Sequence, residues 1–102
     1  MENNFYVVYK MIANEGVSYE FITAWENLTI HIQNYCGGLG SKIHKEEEGV
    51  FIAYAKWPNK AAWENSTSSS PEEEEKLKRE MRKYCSKVEV LHTMYLVSDL
   101  MN

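Results

Sequence analysis

The stretch Val50 to Trp63, Val-Phe-Ile-Ala-Tyr-Ala-Lys-Trp-Pro-Asn-Lys-Ala-Ala-Trp, narrows the choice of fold more than any other part of the chain. Val50 to Trp57 is dominated by apolar and aromatic types and holds no turn former, which predicts a strand buried on both faces. Pro58 stops it. Proline has no amide hydrogen and pushes Trp57 toward an extended conformation, so a short helical segment starts at Asn59 and carries Ala61, Ala62 and Trp63. A strand that turns straight into a helix, with Trp57 before the corner and Trp63 after it, is suited to wall a concave apolar pocket.

The flanking segments build a domain around that corner. Phe5 to Ile12 is rich in β-branched and aromatic residues and predicts a central strand. Asn14-Glu15-Gly16 is a turn, and Ser18 is placed to cap the helix that follows. In that helix Phe21, Ile22, Trp25, Leu28, Thr29, Ile32, Tyr35 and Cys36 recur on one face, and Gly37-Gly38 ends it. Leu39 to Lys45 reads as an outer strand, joined to the Val50 strand by a turn over Glu46-Glu47-Glu48-Gly49.

After Trp63, the run Asn65 to Pro71 is a low-complexity segment expected to form a mobile surface loop. Ser70, Pro71 and Glu73 predict a capping box, and the acids Glu72 to Glu75 sit at the positive end of the helix dipole. Acid-before-base pairs follow at Glu72/Lys76, Glu74/Lys78 and Glu75/Arg79, while Leu77, Met81, Tyr84 and Cys85 form the apolar stripe. Val88 to Val97 predicts a last strand. The order βαββαβ gives an α+β, ferredoxin-like domain with a four-stranded antiparallel sheet and both helices on one face. The strands are apolar on both sides, so a second copy of the chain is expected to cover the face without helices, forming a dimeric α/β barrel.

At 102 residues the chain has room for one domain, spanning 1–102. A net charge of -4 argues against nucleic acid, whose phosphates need a basic face. Met1-Glu2-Asn3-Asn4 has no leader pattern and no apolar run is long enough to span a membrane, so a cytoplasmic protein is expected. Cys36 and Cys85 are expected as free thiols. Neither they nor His31, His44 and His92 show metal-ligand spacing, so no metal is expected.

The chain resembles the antibiotic biosynthesis monooxygenase superfamily over nearly its whole length. The resemblance rests on Phe5-Tyr6-Val7-Val8-Tyr9, Phe21-Ile22-Thr23-Ala24-Trp25, Gly38 to His44 and, most specifically, Ala53 to Trp63. It implies a homodimer with a ligand pocket between sheet and helices, and a monooxygenase that oxidises an aromatic or phenolic small molecule without metal, flavin or other cofactor. In that chemistry the protein supplies a dry pocket, a proton acceptor and polar groups for the anion. His92, Trp63 and Tyr54 are the catalytic candidates, with His92 as base. Trp25, Trp57, Met81 and Tyr95 are the candidates for substrate contact. The alternatives are a non-catalytic dimeric ligand binder and a haem protein. The haem-degrading branch matches at Trp63, but the first strand here has Val7-Val8-Tyr9-Lys10 in place of that branch's asparagine, and the helix from Pro71 to Tyr84 holds no axial histidine.

Overall fold

A computed structural model describes residues 4–101; Met1 to Asn3, where no leader pattern was read, lie outside the described residues. The elements are β1 (Phe5–Ala13), α1 (Ser18–Tyr35), β2 (Gly40–Glu47), β3 (Val50–Trp57), the short α2 (Lys60–Glu64), α3 (Pro71–Lys83) and β4 (Cys85–Tyr95). The strands form one antiparallel sheet in the order β2-β3-β1-β4, the ferredoxin-like arrangement. Among the described residues no helix is long and apolar enough to cross a membrane.

Register assigns the faces. Phe5, Val7, Tyr9 and Met11 of β1 lie opposite Trp57, Ala55, Ala53 and Phe51 of β3. Phe5, Val7, Met11, Phe51, Ala53 and Trp57 are all buried, so this set faces the helices. Phe21, Ala24 and Leu28 of α1 and Met81 of α3 complete the core from the other side. Residues of opposite parity, Val8, Ile12, Ile52 and Tyr54, are half-buried. The β3 strand is therefore more deeply buried on one face than on the other within a single chain, because among the described residues no helix covers the other face, where Tyr6 and Tyr54 meet only the segment after β4.

The corner forms as its residues dictate. β3 ends at Trp57, and the Asn59 side chain accepts a 2.8 Å hydrogen bond from the Ala62 amide, capping α2. Several local expectations are met only in part. Ser18 is the first helical residue rather than the cap, and Val17 in the capping position makes no side-chain bond. Ser70 does precede α3, with Pro71 at its start, but the capping box is absent because the Ser68 hydroxyl accepts from the Ser70 amide. Of the expected ion pairs on α3, Glu74/Lys78 at 3.2 Å and Glu75/Arg79 at 4.0 Å form, whereas Glu72/Lys76 is not among those of the described residues.

Strand ends also move. β2 runs on to Glu47, and Glu48-Gly49 alone makes the turn, with Gly49 at φ 80°. β4 starts three residues before Val88 because Cys85 pairs with Ala13 directly after α3. Tyr35, expected on the apolar face of α1, is 51% exposed, and His31 is buried instead.

The serine-rich loop is not a free surface loop. The Ser69 amide donates to the Tyr35 carbonyl, and Ser68 Oγ lies 2.8 Å from His31 Nε2. Beside them the Cys36 thiol donates to a Glu74 carboxylate oxygen at 2.9 Å. Burial, with the Glu74 carboxylate beside it, holds that thiol up at about 11. Cys36 and Cys85 are both free thiols.

Gly38 gives a test of how closely α1 joins the sheet. A Cβ at this position would stand 2.9 Å from Ile32 Cγ2 and 3.7 Å from the Trp57 ring. Ile32 is β-branched and stiff, so Gly38→Ala is expected to lower stability by about 1–3 kcal/mol in chemical denaturation, the usual range for overpacking.

Candidate functional site

Side-chain size along the sheet opens a cavity under α1. Ala53 and Ala55 of β3 with Gly40 and Ser41 of β2 make a floor of small residues, and Trp25, Leu28, Thr29 and Ile32 of α1 stand over it. Trp57, Met81 and Val88 close the sides, with Gln33 and Lys56 also in the lining. Small residues opposite large ones leave about 180 Å³ of largely apolar space.

Tyr9 brings the polar function to this cavity. It lies on the helix-facing side of β1 opposite Ala53, whose methyl leaves the ring room. Trp63, delivered by the corner, donates its indole N–H to the Tyr9 oxygen at 3.1 Å. An indole can only donate, so the Tyr9 oxygen is the acceptor and its hydroxyl hydrogen is left for a ligand. Burial raises the Tyr9 pKa, and the Trp63 hydrogen bond pulls weakly the other way. Tyr9 is thus a neutral hydrogen-bond donor at physiological pH. Behind the pair, Phe5 packs on Trp63 with ring centroids 5.8 Å apart, and Tyr95 meets Phe5 edge-on at 5.1 Å.

The structure divides the residues singled out from sequence. Trp25, Trp57 and Met81 all line the cavity, and Trp63 reaches it through Tyr9. Tyr95 lies beyond Phe5, 55% exposed, and is not in the lining. Tyr54 pairs with Val8 and stacks on Tyr6 at 4.6 Å, on the sheet face away from the helices. There burial and the Tyr6 neighbour raise its pKa. His92 also pairs with Val8, exposed on that same far face, so within one chain it cannot reach a proton in the cavity. Tyr9 is the residue that sequence reasoning passed over. The signal for it was its parity with Val7 and Met11 along β1.

These features define a class: a ferredoxin-like α+β domain with an aromatic-walled cavity between its helices and sheet. No family model matches the sequence, and no curated protein matches it. Solved structures do match in fold. A variant of SnoaB, a cofactor-independent oxygenase from Streptomyces nogalater, superposes with a TM-score of 0.75 at 13% identity, covering 98% of this chain and 99% of that one. A protein proposed to be an antibiotic biosynthesis monooxygenase from Caulobacter crescentus gives 0.74 at 16% identity, over 95% and 92%. A conserved protein from Methanosarcina mazei gives 0.69 at 11% identity, over 91% and 92%. The chain carries the fold of the antibiotic biosynthesis monooxygenases.

Proposed function

We propose that this protein is a monooxygenase of the antibiotic biosynthesis type that oxidises a small phenol or hydroquinone with molecular oxygen and no resident cofactor. The observation that carries the reading is the Tyr9 hydroxyl, held by Trp63 at the edge of a largely apolar cavity. A volume of about 180 Å³ is slightly more than the roughly 150 Å³ that accommodates benzene in an engineered protein cavity, which favours one ring, or two fused rings, over larger polycycles.

The chemistry balances without a metal or flavin. A phenol and O2 give a quinone and water: the ring supplies four electrons, one oxygen atom enters the ring carbon and the other leaves as water. The reactive species is the electron-rich phenolate, and a largely apolar cavity with a fixed donor, and with Lys56 also in its lining, stabilises charge on the phenolate oxygen as it forms. Tyr9 supplies that donor, Trp63 orients it, and Trp25 and Trp57 exclude water. Among the described residues no histidine or carboxylate is in the lining, so the substrate's own ionisation sets the reactive fraction. Haem fits poorly: a tetrapyrrole exceeds this cavity, and α3 offers no histidine.

Oxygen-electrode measurements with hydroquinones and naphthols test the reading. Uptake is expected to rise with pH as each phenol ionises and to disappear in Trp63→Ala. Binding without uptake across the panel would leave the protein as a ligand-binding module.

The reading places the protein in the cytoplasm as a homodimer, the pairing resting on Val8, Ile12 and Ile52, which form a half-buried apolar surface on the face without helices. Sedimentation at micromolar concentration is expected to give a dimer and Ile52→Glu a monomer. A folded wild-type monomer at that concentration would overturn the assembly.

A further inference from the structure

His31, Cys36 and Glu74 lie together where α1 ends, α3 begins and the serine-rich loop crosses between them. One ring nitrogen of His31, the Cys36 sulfur and a Glu74 carboxylate oxygen all fall within 4.8 Å of one another. We propose that these three side chains bind a divalent ion of the zinc class, which clamps the loop and α3 to the end of α1. Sequence spacing did not show the site because its ligands come from α1, the residue that follows it and α3, with Cys36 and Glu74 lying 38 residues apart.

The donor set selects the ion. An imidazole nitrogen, a thiolate and one carboxylate oxygen form the borderline-soft combination that suits zinc and its neighbours over magnesium or calcium, which take oxygen ligands. Around a tetrahedral zinc, with bonds of about 2.0–2.3 Å, ligand atoms stand roughly 3.6 Å apart. The observed cluster reaches that by side-chain movements on the order of an ångström. The Ser68 hydroxyl, now 2.8 Å from His31 Nε2, stands beside the fourth position, which it or a water would complete.

The carboxylate already divides its work. Glu74 Oε2 faces Cys36, while Oε1 is 3.2 Å from the Lys78 ammonium. An ion can therefore replace the thiol proton on one oxygen without displacing Lys78 from the other. Among the described residues Lys78 is the cation paired with the carboxylate, and its repulsion of a second cation is offset by the thiolate. The balance is simple: the Cys36 S–H bond and one metal–water bond break, a sulfur–metal bond forms, and one proton and one water are released to solvent. His31 is buried, so it is already ordered for binding.

Cobalt(II) titration of the untagged, reduced full-length chain tests the site, because a thiolate ligand produces an intense near-ultraviolet charge-transfer band. One cobalt per chain with that band is expected, bleached by stoichiometric zinc(II). Cys36→Ser should abolish the band while Cys85→Ser retains it. His31→Gln and Glu74→Gln should each weaken binding at least about 100-fold, the upper end of what losing even an outer-shell partner costs. Glu74→Gln keeps an acceptor for Cys36, so its fold is expected to survive; zinc should raise the Tm of the wild type and not of this variant. A wild type without the band, or cobalt binding that is unchanged in Cys36→Ser and Glu74→Gln, would overturn the proposal.

Discussion

Replacing Phe5 by alanine is expected to cost about 3–5 kcal/mol, the range for emptying a buried aromatic site. Phe5 is 1% exposed and forms a cluster with Val7 and Trp57, with Trp63 packed against it. Against a total stability of roughly 5–15 kcal/mol this is a large fraction, equivalent to a fall in Tm of at least about 12 °C for a domain near this size. Thermal unfolding followed by near-ultraviolet circular dichroism checks it. The loss should reach the cavity as well, since Trp63 leans on the Phe5 ring while it holds Tyr9. A change below 1 kcal/mol would mean that the aromatic cluster collapses to fill the space.

Tyr9→Phe is the complementary test, with a small structural effect and a large chemical one. It deletes one oxygen, keeps the ring against Ala53 and leaves the Trp63 N–H without its partner. Stability is expected to fall by only about 1–3 kcal/mol. If Tyr9 donates to the substrate oxygen as charge develops, kcat/KM for oxygen uptake should fall about 10²–10³-fold, the usual consequence of removing one such donor. Comparing kcat with KM locates the interaction: a loss confined to KM would assign Tyr9 to binding alone. Undiminished uptake in Tyr9→Phe would remove the basis for placing the chemistry in this cavity.

The same residues show how far the amino-acid pattern carries. The strand-to-helix corner was readable because Pro58 and Asn59 act locally, one by lacking a donor and the other by capping. The element order was readable because period and turn formers mark it. Caps were less so. Ser18 and Ser70 have the composition of caps, yet Ser18 is already the first residue of α1, and Ser70 holds the capping position of α3 without a side-chain bond while the Ser68 hydroxyl takes its amide.

The candidate site was half legible. Trp25, Trp57 and Met81 were found through their place in apolar stripes and at the corner, and the cavity joins them. Tyr54 and His92 were misplaced relative to that cavity because strands apolar on both sides carry no signal for which face the helices cover. Register alone resolved it, opposing both residues to Val8 on the far face and Tyr9 to Ala53 on the near one.

From sequence alone, then, came the order of the strands and long helices that makes the α+β class, and the aromatic corner, since each depends on contacts within a few residues. The choice of face, the floor of small residues that opens the cavity, and the meeting of His31, Cys36 and Glu74 belong to the tertiary structure. Those features depend on which distant segments lie side by side, and packing of the whole sheet against α1 and α3 is what sets that.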